Sequence, residues 1–277
     1  MPYLQPKHLT EAVDALAGPG MQILAGGTDL YPAHVGRPLP GRLVDVSAVA
    51  EMRAIAACED GLRIGGAVTW TEIASAGLPP AFKALQQAAR QVGSRQVQNR
   101  GTIAGNLCNA SPAADGVPPL LVLDASVELT SAAGARQMAL ADFIVGYRKT
   151  QLRPDEVLSA VIVPASPGAI SAFVKLGARK YLVISIVMVA ALLRCDKDGT
   201  ITQARIAVGS ASEKARRLEL LERHLIGRSA RGAMAEAIQP EHLAVLSPIG
   251  DIRATAAFRL DAARHLIADA LERAAGA

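Results

Sequence analysis

Apolar positions follow a helical period in some stretches of the chain and run almost unbroken in others. Residues 8–17, HLTEAVDALA, put Ala12, Val13 and Leu16 on one face and predict a short helix with Thr10 as N-cap, ended by Gly18-Pro19-Gly20. Residues 22–25 predict a strand that runs into a glycine turn, and RLVDVS (42–47) predicts another, giving a small βαββ unit over the first 55 residues. A strand at 62–65, a helix start near Thr69 and a helix over 80–92 follow, the last with Phe82, Leu85, Ala88, Ala89 and Val92 at helical spacing. The next stretch, VGSRQVQNRGTIAGNLCNASPAADG (92–116), is too glycine-rich for a regular core element and too apolar for a linker. PPLLVLDASVELTS (118–131) and EVLSAVIVP (156–164) return to strand character.

PASPG (164–168) marks the clearest domain boundary. Beyond it, SAFVKLG, SIVMVAALLRC and TITQARIAVGSA predict three strands, the last two joined as a hairpin by Asp196-Lys197-Asp198-Gly199. A long helix over 253–273 carries Ala257, Leu260, Ala263, Leu266, Ile267 and Leu271 on one stripe. The expected domains are 1–55, 56–165 and 168–277, and the fold class is α+β.

With 51% hydrophobic and only 3% aromatic residues, Ala, Val, Leu and Ile must fill the core. The net charge of +4 is mild and the basic residues are scattered, so nothing supports nucleic-acid binding. The longest apolar run, 181–193, is interrupted by Ser185 and falls short of the about 18 residues that cross a bilayer, so it predicts a buried strand or helix and no membrane span. The first 11 residues lack the apolar stretch of a signal peptide, and Cys58, Cys108 and Cys195 are too dispersed for a disulfide framework or metal site. Both features point to the cytoplasm. His34 reads as a surface-loop residue, Cys108 as a small buried filler, Trp70 and Met188 as core, and Arg216-Arg217 as a solvated helix face.

Two segments share one design. Ala25, Gly26, Gly27, Thr28 and Asp29 follow a strand; Thr102, Ile103, Ala104, Gly105 and Asn106 follow a helix and a polar stretch. Glycine lets backbone amides approach a ligand, successive amides form an anion-binding nest, and threonine hydroxyls can donate to phosphate oxygens. Neither segment fits G-x-G-x-x-G or G-x-x-x-x-G-K-[ST]. The residues alone leave two readings open, a pair of ordinary turns or two cradles for a phosphate-bearing cofactor.

The chain resembles the FAD-binding medium subunits of the xanthine dehydrogenase and carbon monoxide dehydrogenase family of molybdenum hydroxylases. The resemblance rests on LAGGTDL (24–30), LVDVS (43–47), LRIGGAVTWTEI (62–73), QVQNRGTIAGNLCNASPAAD (96–115), LLVLDASVEL (120–129), EVLSAVIVP (156–164), FVKLGARKYLVISIV (173–187) and IRATAAFRLDAARHLI (252–267). It implies a two-subdomain FAD-binding fold of the vanillyl-alcohol-oxidase/PCMH type, followed by an α+β C-terminal domain. It further implies that residues 25–29 and 102–106 wrap the FAD diphosphate and neighbouring groups, and that Asp115 contacts the cofactor with Ser111 as a helper. Val157 and Leu158 would lie beside the flavin end, and Lys175 near the flavin ring. FAD would be non-covalent, since neither glycine segment holds a His, Cys or Tyr. The molybdenum cofactor and [2Fe-2S] clusters would reside in partners, a large and a small subunit, in a heterotrimer or a dimer of heterotrimers.

The segment Arg179-Lys180-Tyr181-Leu182-Val183 departs from xanthine dehydrogenases, which carry acidic residues there, and is similar to bacterial three-subunit hydroxylases. The cysteine-rich insertion of the 4-hydroxybenzoyl-CoA reductase branch is missing, so no cluster is expected in this chain. The function implied is electron transfer from a partner's clusters through FAD to an external acceptor. The alternative is a stand-alone FAD oxidoreductase of the related fold, which would need a substrate-binding domain; residues 168–277 offer no evident catalytic set.

Overall fold

A computed structural model describes residues 3–39, 41–180, 182–232 and 234–276. The chain forms two compact units, each assembled from three separated stretches. One comprises Met1–Ile73, Arg95–Ala110 and Asp124–Ala165; the other comprises Ala74–Ser94, Ser111–Leu123 and Ser166–Ala277.

The first unit holds two main sheets. Strands β1 (Tyr3–Leu4), β2 (Met21–Leu24) and β3 (Arg42–Asp45) pair in parallel in the order β1-β3-β2. The helix Leu9–Leu16 buries Ala12, Val13 and Leu16 in a cluster with Val44, Val46, Val49 and Met52. Its N-cap is His8, not Thr10 as the pattern suggests. Glu11 decides this: its carboxylate accepts from the backbone N–H groups of Lys7 (2.8 Å) and His8 (3.4 Å), so the N-cap falls two residues earlier and Thr10 lies inside the helix.

The second sheet of this unit is antiparallel, built from β4 (Ile55–Cys58), β5 (Gly61–Gly65), β6 (Ser126–Ser131), β7 (Gly134–Ala139) and, beyond the small ribbon of β8 (Ile144–Gly146) and β9 (Lys149–Thr150), β10 (Val157–Pro164). Its order is β4-β5-β10-β6-β7, with β10 in the middle and buried along nearly its whole length. The stretch expected to be irregular forms two short helices instead, Arg95–Arg100 and Ile103–Asn109. Gly101 falls in the break between them. The second is started by the Thr102 hydroxyl, which accepts from the Gly105 N–H at 3.1 Å, and held by burial of Ile103, Ala104 and Leu107. It ends at Ala110 in the left-handed conformation (φ 46°).

In the second unit β11 (Ile170–Leu176), β12 (Val187–Cys195), β13 (Ile201–Gly209) and β14 (Arg216–Arg217) form an antiparallel sheet in chain order. Both faces are covered, which is why β12 reads as an unbroken apolar run rather than an alternating one. Ala172, Val187, Val189, Ala191, Ile206 and Val208 share a core with Ala263, Ile267 and Leu271 of the C-terminal helix, Ala256–Ala274. On the opposite face Ser171 Oγ accepts from Ala84 N (2.8 Å) and the Gln87 side chain accepts from Phe173 N (2.7 Å), tying β11 to the helix Lys83–Ala89.

Residues expected to extend a strand, 118–123, lie largely in a helix, Val117–Val122. Pro118 and Pro119 sit in its first turn, where missing N–H groups cost nothing, and all six residues are buried, so no amphipathic period shows. Arg217 and Arg205 donate to the Leu121 (3.0 Å) and Val122 (3.3 Å) carbonyls at its end. Arg216-Arg217 therefore belong to β14 and not to a solvated helix face. On the C-terminal helix Ala257 is exposed, and Arg259 occupies the buried stripe in its place. Trp70 and Met188 are core residues, as expected; Tyr181, at the head of the apolar run, lies outside the described residues. No described helix is long and apolar enough to cross a membrane.

Candidate functional site

The first unit brings its two glycine segments into direct contact. A Cβ at Gly26 would fall 1.9 Å from the Arg100 carbonyl oxygen and 2.9 Å from Gly101 Cα, so the first segment lies backbone-to-backbone on the residues that open the second. A Cβ at Gly101 would in turn come within 3.5 Å of Thr28 Oγ1, and one at Gly105 within 4.0 Å of the Ala25 methyl. The stretch 66–70 holds the second segment from its other side: Ile103 N donates to Val68 O (3.0 Å), Ala104 N to Gly66 O (3.1 Å) and Trp70 N to Gly101 O (3.1 Å). Gly27 has φ +71°, the left-handed region that glycine occupies without strain.

Four polar side chains finish this part. Asp29 accepts from Asn109 Nδ2 (3.0 Å), and Asn109 Oδ1 accepts from Arg148 (2.8 Å). Asn106 Oδ1 is buried without a hydrogen-bond partner, an arrangement that favours an external donor because an unpaired buried acceptor is costly. Leu158, on β10, meets the same region through Gly66, whose Cβ would lie 2.3 Å from the Leu158 carbonyl and 3.1 Å from the Ala104 methyl. Val157 points into the core shared with the helix Leu9–Leu16.

The second unit carries a buried ion pair. Lys175 Nζ donates to Asp115 Oδ2 at 2.5 Å, with the two side chains only 5% and 7% exposed. Ser185 Oγ donates to Asp115 Oδ1 (2.6 Å), and Lys175 also donates to Gln91 O (3.4 Å). Burial pushes the Asp115 carboxyl up, opposed by the Lys175 ammonium and then by the Ser185 hydroxyl. The Lys175 side chain is thus buried although β11 is the edge of its sheet. Ser111 lies in the turn before Asp115, its hydroxyl accepting from Ala113 N at 3.2 Å.

Sequence reasoning missed Ser185, which shows only as a break in an apolar run, and Asn109 and Arg148, which carry no motif. His34 ends the short helix Leu30–Ala33, with Nδ1 at 2.8 Å from Leu30 O. The Cys108 thiol is pushed up to about 12 by burial, as suits a filler. Among the described residues no group of three or more His, Cys, Asp or Glu side chains could hold a metal ion.

Residues 1–166 match the family described as the FAD binding domain in molybdopterin dehydrogenase, and residues 172–274 match the CO dehydrogenase flavoprotein C-terminal domain. The chain is 34% identical over 271 residues to the xanthine dehydrogenase FAD-binding subunit of Escherichia coli O157:H7, covering 96% of this chain and 91% of that one. It is 36% identical over 248 residues to the nicotinate dehydrogenase FAD-subunit of Eubacterium barkeri, covering 86% and 83%. Its fold superposes on a chain of quinoline 2-oxidoreductase from Pseudomonas putida 86 with a TM-score of 0.89 at 30% identity, covering 100% and 97%.

Proposed function

The chain belongs to the family of FAD-binding subunits of the molybdopterin dehydrogenases, and from that premise we propose how its residues serve electron transfer in a molybdenum hydroxylase. Bound FAD supplies the redox chemistry, accepting electrons singly and discharging them in pairs. The chain's own work is to bind and orient that group. Residues 25–29 and 102–106 hold the diphosphate, with the Thr28 hydroxyl donating and Asn106 exchanging hydrogen bonds beside it. The observation that carries this is the backbone contact of Gly26 on Arg100 and Gly101, which sets small residues side by side where a side chain would intrude; the unpartnered Asn106 oxygen, an acceptor, suits a hydroxyl of the cofactor and not its phosphates.

The residues present fit the group: glycines where a side chain would intrude, a buried acceptor in want of a donor, and no acidic side chain in either segment but Asp29, which is engaged by Asn109. Leu158 would lie beside the flavin end, with Val157 packed into the core behind it. Asp115 and Lys175 present a buried acceptor and donor to the flavin end, with Ser111 shaping the turn. Subdomains 1–55 and 56–165 carry the cofactor and residues 168–277 form the C-terminal domain. Electrons arrive from the [2Fe-2S] clusters of a small partner, which takes them from a large molybdenum-cofactor subunit, and leave to an external acceptor. The assembly is a heterotrimer or a dimer of heterotrimers in the cytoplasm.

Purification from the native source tests this. A yellow complex of three kinds of chain is expected, with molybdenum and iron in the complex, neither metal on this chain alone, and FAD released into the supernatant by acid. A colourless protein, or oxidation of an aldehyde or N-heterocycle by the isolated chain without molybdenum, would overturn the proposal.

A further inference from the structure

The buried pair of Lys175 and Asp115 is framed from behind by a second polar network in the same unit. Arg259, on the C-terminal helix, is only 1% exposed, although guanidinium groups are almost never fully buried unless paired. Its Nη1 donates to the carbonyls of Ile186 and Ser210 (3.0 Å to the latter), and its Nη2 donates to Asp251 Oδ1 at 2.7 Å. Asp251 also accepts from Arg253 through Nη2 (2.5 Å) and Nε (3.0 Å), and Arg253 Nη1 reaches the Ser185 carbonyl at 3.3 Å. Two arginines joined by one carboxylate therefore grip the consecutive carbonyls of Ser185 and Ile186.

Two of the three residues whose carbonyls are held, Ser185 and Ser210, lead to Asp115. Ser185 Oγ donates to its carboxylate directly. Ser210, whose carbonyl Arg259 holds, donates its own N–H to the Pro112 carbonyl (3.0 Å), three residues before Asp115 in the same turn. The clamp thus fixes the hydroxyl that engages Asp115 and the loop that presents it. The core cluster that the C-terminal helix shares with the sheet is apolar, and a leucine or methionine at position 259 would fill the space without desolvating a charge. The Arg259 Nε, buried and without a partner, adds to the cost of the arginine. Such a cost is understandable where the arginine holds specific carbonyls in place.

We infer that Arg259, with Asp251 and Arg253, is a positioning device for the Lys175–Asp115 pair, acting through Ser185 and the turn at residues 111–115. Its effect on the flavin rests on the proposed role of that pair; its effect on the pair itself does not.

The test has two arms on the full chain. In the FAD-free protein, reductive methylation of Lys175 is followed by mass spectrometry, with Lys197 in the exposed hairpin turn as internal reference. Ser185→Ala and Arg259→Lys should each raise the labelling of Lys175 relative to Lys197 about tenfold, the factor expected when one charge-assisted hydrogen bond no longer holds the pair closed. Arg253→Gln, at a side chain 33% exposed, should do the same to a smaller extent and serves if Arg259→Lys fails to fold. In the FAD-loaded protein, Lys175→Met should change the flavin's visible spectrum and midpoint potential. Ser185→Ala and Arg259→Lys should shift both in the same direction, and the double variant no further than the larger single one. A lower melting temperature with unchanged relative labelling of Lys175 would reduce the clamp to a scaffold and overturn the inference. If Lys175→Met leaves the flavin untouched, the assignment of the pair to the flavin fails, while the labelling arm still decides the clamp.

Discussion

Gly26→Ala is the smallest change that should separate the two glycine segments. The added methyl carbon would lie 1.9 Å from the Arg100 carbonyl oxygen and 2.5 Å from its carbon. Nonbonded heavy atoms prefer about 3.5–4.0 Å, so the two backbones must part by roughly 1.5 Å. No rotamer relieves the clash, because both atoms it meets are main chain. Overpacking of this kind costs about 1–3 kcal/mol, which in a chain of this size lowers the melting temperature by about 2–12 °C. FAD should bind roughly tenfold more weakly or worse, since a displacement of that size misplaces every donor that the contact aligns. Gly27→Ala is the control. Its methyl would fall 2.3 Å from Tyr31 Cε2, but that ring is half-exposed and can swing away. What remains is the left-handed backbone at φ +71°, worth about 1–2 kcal/mol in a non-glycine residue. Thermal unfolding and FAD titration of both apoproteins give the comparison. A Gly26→Ala protein with the parent's melting temperature and FAD affinity would refute the contact as the organiser of the site.

Three further outcomes are expected. Asp115→Ala leaves the Lys175 ammonium buried without its counter-ion and should destabilise the chain by about 3–5 kcal/mol, as urea unfolding would measure; a loss below about 1 kcal/mol would show that the pair is solvated. Hydrogen bonding from Arg253 holds the Asp251 carboxyl well below its usual 3.8, so its stabilisation is present above that pH and fades as pH falls toward the lower folded value. Asp251→Asn should therefore lower the melting temperature at pH 7, with a gap to the parent that narrows below about pH 4; a gap that persists unchanged at pH 2.5 would contradict this sign. Cys108, its thiol pushed up to about 12, should resist iodoacetamide at pH 8 in the native chain, and prompt alkylation there on peptide mapping would show an accessible thiolate.

The sheet of the second unit was legible in advance because its strands are long and bounded by turn formers. The hairpin turn 196–199 and the apolar run before it leave little room for another arrangement. The helix Val117–Val122 was not legible, since a segment buried on every side loses the period that separates helix from strand. Glycine content misled at residues 95–109 for a local reason. Gly101 sits between two helices, and Gly105 is inside one whose start is secured by the Thr102 hydroxyl and whose apolar face is buried. Thr102 has accordingly one role that composition could not assign: its oxygen already accepts the Gly105 N–H, and only its proton is left to meet a phosphate.

Charged and hydroxyl residues set into apolar stretches mark the deeper limit. Ser185 looks like an interruption of a strand and Arg259 like an exposed helix position, because each is polar and neither belongs to a motif. Desolvation reverses both readings. A group that has been taken out of water must find partners, so its burial implies a network before any partner is known. Ser185 is fully buried and spends its hydroxyl on Asp115; Arg259 spends its donors on Ile186, Ser210 and Asp251. Sequence period can say that position 259 faces inward only if the arginine is allowed to count as an inward residue, which binary patterning forbids. Its counter-ion Asp251 lies only eight residues back, but the two carbonyls it holds lie 49 and 73 residues away, at Ser210 and Ile186, so the reason for its burial is complete only in the folded unit. The same holds for Lys175, whose counter-ion is 60 residues distant. In this chain the polar side chains that are costliest to bury, Lys175, Ser185 and Arg259, are therefore those whose long-range partners local pattern does not show.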